Sequence, residues 1–292
     1  MKPPAFDYAA PTTLAEAIAL LVQHEGDAKV LSGGQSLVPL LNMRLARPAV
    51  LVDLARVPDL DYVRSEGDGF AIGAMTRQRT VELSPLVQAQ HPMLHAGVML
   101  IAHPQNRNQG TVGGSLAHAD PAAELPALAL ALEASFRATG PQGERSIAAS
   151  DFFLTYLTTA LDSREILTGV RFPTLPARTG WSIVEVARRH GDFALAGVVA
   201  VVALRPDGCC ALARLVLFGV GSTPIRAQGA ERLLVGQPAE PAVFARAGAQ
   251  AAADLEEPLS DVHATAIYRR DLARVLTGRA LAEATSRARA AA

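Results

Sequence analysis

Cysteine is nearly absent from this 292-residue chain: there are two, Cys209 and Cys210, and they are adjacent. Two thiols cannot hold an iron–sulfur cluster, which needs four ligands. Aromatic residues make up 5 % of the chain, so a flat cofactor would find few rings to stack on. No apolar run approaches the ~18 residues of a membrane-spanning helix. No apolar signal region follows Met1-Lys2-Pro3-Pro4. Charge of neither sign dominates, with 27 basic residues against 28 acidic. That balance argues against nucleic acid and against a membrane surface as partners. A cytoplasmic protein is the expectation.

Several catalytic signatures are also missing. There is no Walker A loop. No Gly-x-Gly-x-x-Gly opens a helix after a strand, which argues against a Rossmann site; Gly219-Val220-Gly221 is a partial match that reads as a turn. Without His-Glu-x-x-His or Cys-x-x-Cys, no zinc centre is expected, and no metal site is assigned. A Gly-x-Ser-x-Gly elbow is lacking too. His118 with Asp120 reads either as a metal or acid–base pair or as a loop-ordering hydrogen bond.

What the chain does have is two glycine-pair loops, Ser32-Gly33-Gly34-Gln35-Ser36 and Thr111-Val112-Gly113-Gly114-Ser115. Paired glycines reach positive φ and let a ligand approach without meeting a Cβ. Successive N–H groups in such turns form nests for phosphate oxygens. Either pair alone is an ordinary turn signal. Two of them could grip one pyrophosphate from both sides, as a dinucleotide between two lobes requires. Phosphate grip without an obvious proton-transfer centre suits a redox carrier, in which the cofactor does the chemistry.

The length allows two or three compact units, and half of the residues are hydrophobic, enough for a sizeable core. Thr13-Leu14-Ala15-Glu16 reads as a capping box opening a helix through about His24. Strands are expected at Ala28–Leu31 and Val50–Leu54, completing a small α/β unit over residues 1–57. A second unit, 58–176, holds strands at Gly69–Ala74, Glu133–Thr139, Gly143–Ile147 and Glu165–Phe172, and helices at Pro92–Ala102 and Ala122–Leu132. Its polar, Gly- and Asn-rich stretch His103–Asp120 reads as a loop. A third unit, 177–292, opens with strands at Trp181–Arg188, Ala194–Leu204 and Leu212–Val220, with a hairpin turn at Asp207-Gly208. Helices near Gln228–Leu234, Ala242–Leu255 and Thr265–Ala288 finish it, so this unit is α+β.

The run Val30–Leu41 resembles the first flavin loop of the FAD-binding medium subunits of molybdenum hydroxylases, and Arg107–Pro121 resembles their second. Gly73-Ala74-Met75-Thr76 and Arg188-Arg189-His190-Gly191-Asp192-Phe193-Ala194 match further motifs of that family in the same order, so the likeness covers nearly the whole chain. The resemblance implies an α+β chain of the vanillyl-alcohol-oxidase type, with two α/β subdomains around FAD and an α+β C-terminal domain. It assigns the pyrophosphate to Ser32, Gly33, Gly34, Gln35 and Ser36, with Leu37 following, and to Thr111, Gly113, Gly114 and Ser115. Met75, Thr76, His118 and Asp192 join the site as members of the matching motifs. It implies an acid on the ribose or adenine side in Glu124 and a ring near the isoalloxazine in Phe193, while Lys29, just before the first loop, reads either as a phosphate partner or as a solvated lysine.

The resemblance further implies two partner subunits. A large one carries the molybdenum–molybdopterin cofactor, and a small one carries two [2Fe-2S] clusters. Together they form a dimer of heterotrimers. Electrons would pass from molybdenum through the clusters to FAD and on to an external acceptor, and this chain alone would hydroxylate nothing. With no His, Cys or Tyr in either glycine loop, the FAD should be non-covalent. Residues 117–124 resemble members acting on N-heteroaromatic or aryl/acyl-CoA compounds more than carbon monoxide dehydrogenases. The competing reading is a stand-alone FAD-dependent oxidoreductase with its own substrate site.

Overall fold

The computed structural model describes residues 2–291. Strand β1 (Asp7–Ala9), helix α1 (Leu14–Gln23), β2 (Ala28–Leu31), α2 (Leu37–Asn42) and β3 (Val50–Asp53) build the first lobe. Its three strands run parallel in the order β1-β3-β2. The capping box forms as the sequence predicts: the Glu16 amide donates to Thr13 Oγ1 (3.1 Å) and the Thr13 amide donates to Glu16 Oε2 (3.3 Å). Ala17 and Leu21 then point inward, one turn apart, onto Val50, Val52 and Leu54. Parallel strands end at one edge of the sheet, and the first glycine loop leaves β2 at that edge.

The second lobe runs through β4 (Val63–Glu66), β5 (Gly69–Gly73), α3 (Gln78–Leu83), α4 (Pro85–Gln90), α5 (Pro92–Leu100), α6 (Pro104–Gln109), α7 (Val112–His118) and α8 (Glu124–Ala131). It continues with β6 (Ser135–Gly140), β7 (Gly143–Ala148), α9 (Ala149–Phe152), β8 (Phe153–Thr155), β9 (Thr158–Thr159) and β10 (Ile166–Pro173). Its main sheet is antiparallel, in the order β4-β5-β10-β6-β7. The stretch His103–Asp120 departs from expectation. It carries two short helices, α6 and α7, in place of a plain loop. Pro104 sits in the first turn of α6, where its missing N–H costs nothing. The Thr111 hydroxyl caps α7, accepting from the Gly114 amide at 3.0 Å.

The third lobe has an antiparallel sheet of β11 (Thr179–Val186), β12 (Ala196–Leu204), β13 (Cys210–Phe218) and β14 (Ile225–Arg226), in that order. At the β12–β13 turn, Gly208 adopts φ +82° and Asp207 Oδ1 accepts from the Cys209 amide. Helices α10 (Gln228–Leu234), α11 (Pro241–Ala253) and α12 (Ala266–Ala290) follow. All nine residues of β12 are buried. Val199 and Val201 belong to the core shared with α8 of the second lobe, whereas Val198, Ala200 and Val202 pack with residues of α11 and α12. A strand covered on both faces needs a continuous apolar run, which is why Ala196–Leu204 shows no alternation. This sheet therefore fixes the third lobe against the second, beside the glycine loops.

Candidate functional site

The two glycine loops lie against each other. Ser32 Oγ is 2.6 Å from Thr111 Oγ1, a contact between residues 79 positions apart. The Ser32 hydroxyl also lies 3.0 Å from Met75 Sδ, at the exit of β5. Gln35 Oε1 accepts from Asn106 Nδ2 at 3.1 Å, tying the first loop to α6. Ser32, Gly33, Gly34, Gln35, Met75, Thr111, Gly113 and Gly114 are thus brought together from three segments.

Gly33 and Gly113 are glycines for a different reason than the sequence suggests. A Cβ on Gly33 would stand 2.5 Å from Gln109 O and 2.8 Å from Gly110 Cα. A Cβ on Gly113 would overlap the Ala74 side chain and lie 2.7 Å from Ala74 Cα. Both vectors point into neighbouring protein, so these glycines permit loop-on-loop packing rather than ligand approach on that side. Gly34 meets the original expectation, at φ +71°.

The backbone donors divide in the same way. Val112 N–H donates to Thr76 O (2.9 Å) and Gly113 N–H to Ala74 O (2.8 Å), so the second loop's amides are largely engaged with protein. Among the described residues, the amides of Gly33, Gly34, Gln35 and Ser36 donate to no protein acceptor. Consecutive free N–H groups around a positive-φ glycine form an anion nest. The first loop supplies the donors, and the second acts as the buttress that shapes it.

Other residues named from sequence take varied places. Thr76 is fully buried, and its hydroxyl is spent on the Tyr62 backbone, 3.0 Å from both N and O, so it secures the chain entering the site. Ser36 precedes α2 without a side-chain cap bond, and Leu37 is the first residue of that helix. Ser115 lies in α7, its carbonyl accepting from the Ala119 amide at 3.2 Å. Lys29 is exposed on β2. His118, the last residue of α7, is held below the usual imidazole range first by burial and also by the Lys29 charge, with Asp120 opposing. Asp120 Oδ1 accepts from the Ala122 amide at 2.9 Å, an Asx turn. Glu124 is 5 % exposed, and its carboxyl is pushed up to about 8 by burial, then by the charges of Glu185 and Asp120.

Asp192 and Phe193 arrive from the third lobe. Asp192 lies 3.6 Å from Arg188 across a salt bridge, and Phe193 is 61 % exposed. Their loop docks through Gly191, where an added Cβ would lie 2.7 Å from His103 Cε1 and 3.0 Å from Ala102 O. The His103 and His190 rings stack beside it, with centroids 6.2 Å apart. Beneath this contact, buried Arg107 donates to Ile101 O (2.7 Å) and pairs with Glu82 through Nε–Oε2 at 2.8 Å. Sequence reasoning missed this support. Arg107 stands in the second motif but is separated from Glu82 by 25 positions, and nothing local announces the pair.

Residues 4–175 match the family profile described as the FAD binding domain in molybdopterin dehydrogenase. Residues 181–284 match the CO dehydrogenase flavoprotein C-terminal domain. The chain is 43 % identical to subunit alpha of the 6-hydroxypseudooxynicotine dehydrogenase complex of Paenarthrobacter nicotinovorans, covering 99 % of this chain and 97 % of that one. It is 40 % identical to the carbon monoxide dehydrogenase medium chain of Hydrogenophaga pseudoflava, covering 98 % and 99 %. Among solved structures, carbon monoxide dehydrogenase from Hydrogenophaga pseudoflava lacking the Mo-pyranopterin moiety superposes with a TM-score of 0.95 at 40 % identity, covering 98 % of this chain and 99 % of that one. Quinoline 2-oxidoreductase from Pseudomonas putida 86 gives a TM-score of 0.94 at 38 % identity, covering 99 % of each chain.

Proposed function

The chain belongs to the FAD-binding medium subunits of the molybdenum hydroxylases, and from that premise we propose that it is the flavin-carrying electron-transfer subunit of a heteromeric dehydrogenase. The observation that carries this reading is the arc of free amides at Gly33–Ser36, braced on the second loop through Ser32 and Thr111. That arc suits a pyrophosphate, whose oxygens need several donors and no opposing carboxylate. Gln35 and Ser36 complete the arc, and Lys29 adds a positive charge on the strand that leads into it. Phe193, exposed to solvent, presents an apolar face for the isoalloxazine. Glu124 lines the sugar side.

FAD contributes the capacity to take electrons one at a time and release them in pairs. The chain's own residues bind and orient it, and the third lobe brings the Phe193 loop over the second. On this reading the lobes divide at residues 57 and 176. A small subunit with two [2Fe-2S] clusters delivers the electrons, since two adjacent cysteines cannot build such a cluster here. A large subunit with molybdenum–molybdopterin oxidises the substrate, and two such heterotrimers pair. The complex is assigned to the cytoplasm; among the described residues no helix is long and apolar enough to cross a membrane.

The cofactor assignment is tested by acid precipitation of the purified chain. The expected result is FAD in the supernatant. Flavin retained in the pellet, or FMN in place of FAD, overturns the non-covalent pyrophosphate site.

A further inference from the structure

Helix α12 buries a stripe of residues at helical spacing, Arg269, Ala273, Leu276, Thr277 and Ala280. Its first member is the exception. Arg269 is 3 % exposed, in a stripe whose other side chains are small or apolar. The guanidinium reaches three separate segments. Nη1 donates to Gly219 O at 2.6 Å and to Leu195 O, and Nη2 pairs with Asp261 Oδ2 at 2.6 Å. The Asp261 carboxylate is itself fixed, because its Oδ1 accepts from the His263 and Ala264 amides at 2.8 and 2.9 Å.

The two carbonyls belong to segments that lead to the candidate site. Leu195 closes the loop between β11 and β12: its amide donates to Val186 O at 2.8 Å, and Phe193 stands two residues before it. Gly219 follows β13, and its amide donates to Pro121 O at 2.8 Å. Pro121 ends the second loop motif, between the Asx turn of Asp120 and Glu124. This junction is too tight for any residue but glycine at 219. Gly219 adopts φ +72°, and a Cβ there would lie 2.7 Å from Ala194 O and 3.2 Å from Leu195 O. The Phe193 loop and the segment before Glu124 therefore meet through Gly219, and one nitrogen of Arg269 holds the junction.

Filling this space does not require an arginine. An apolar side chain of like volume in place of a buried ion pair is often neutral or stabilising. What it lacks is donors. Among the described residues, no backbone amide donates to Leu195 O or Gly219 O, so both depend on Arg269. A planar guanidinium offers N–H groups in fixed directions, two of them here to two carbonyls, while Asp261 meets its charge.

We propose that Arg269 is a positioning residue for the flavin site, holding the Phe193 loop in register with the segment that carries Asp120 and Glu124. The inference rests on the reading above that these two segments border the FAD. Arg269 touches no ligand; it acts through the carbonyls of Leu195 and Gly219. Without it, the base of the Phe193 loop and the Gly219–Pro121 contact move independently, and the two sides of the site lose their common anchor.

The test uses the full chain with and without FAD. Arg269→Met removes every donor. Asp261→Asn loosens the guanidinium while leaving the interior filled, and serves if Arg269→Met does not fold. Hydrogen exchange on the FAD-free chain reads the positioning directly. Peptides covering residues 187–195 and 119–124 should exchange about tenfold faster in either variant, while β12 and α11 keep wild-type protection. FAD affinity, titrated by flavin fluorescence, should fall about tenfold, and Arg269→Lys, which keeps the charge and one contact, should recover part of the loss. Exchange unchanged in these two segments, or faster to the same degree throughout the chain, overturns the proposal. Wild-type FAD affinity in a variant whose two segments exchange faster overturns it too. If the wild-type chain binds no FAD, it is the cofactor reading that fails, and exchange in the FAD-free chain still decides whether Arg269 holds the two segments together.

Discussion

Ser32 Oγ and Thr111 Oγ1, 79 positions apart in sequence, stand 2.6 Å from each other and join the two glycine loops. Thr111 does double duty, because the same oxygen accepts from the Gly114 amide and starts α7. Thr111→Val keeps the shape and deletes both bonds. Loss of an N-cap hydroxyl costs about 1–2 kcal/mol. The expected outcome is a lower denaturation midpoint and a weaker grip on FAD, read as a reduced flavin-to-protein ratio after gel filtration. Wild-type flavin content would show that the bridge does not shape the site.

Gly33→Ala and Gly113→Ala test the packing argument. In both, the added methyl meets backbone, at Gln109 O and Ala74 Cα respectively, so no flexible side chain can yield. Overpacking of this kind costs about 1–3 kcal/mol. Both variants should lose stability even when stripped of flavin, which separates loop packing from ligand clash. Apo-protein stability equal to wild type would mean that these glycines face ligand after all.

The Glu82–Arg107 pair is nearly dry, with side chains 8 % and 4 % exposed. Arg107→Met leaves a buried carboxylate without its main partner, a change that typically costs about 3–5 kcal/mol. The same contact sets an acid limit. Hydrogen bonding to Arg107, with Arg79 helping, holds Glu82 below the usual carboxylate range. A depressed carboxyl stabilises the fold above its unfolded value, and that stabilisation is lost as pH falls toward the folded one. Arg107→Met should therefore shed FAD and flatten the acid limb of the stability profile. An unchanged acid limb would assign that limb to other carboxylates.

Much of this architecture is legible in the sequence because local chemistry and tertiary need coincide. The Thr13–Glu16 box, the Asp207-Gly208 turn and the continuous apolar run of β12 each declare themselves within a few residues. The glycine loops are visible for the same reason, although their glycines face each other's loops as much as any ligand. What escapes is made at a distance. Helix α7 contains Val112-Gly113-Gly114-Ser115, a poor helix-forming run. Its cap and its seat on Ala74 overrule that propensity. Glu82 and Arg107 are ordinary charged residues until the fold buries them together.

The central claim is that this chain relays electrons it cannot itself extract from a substrate. The direct measurement is the flavin absorbance on adding the organic substrate, first to the assembled complex and then to the isolated chain. The complex should bleach its flavin band within the turnover time, and the isolated chain should remain yellow. Bleaching of the isolated chain at a turnover-relevant rate would contradict the account and establish a stand-alone oxidoreductase.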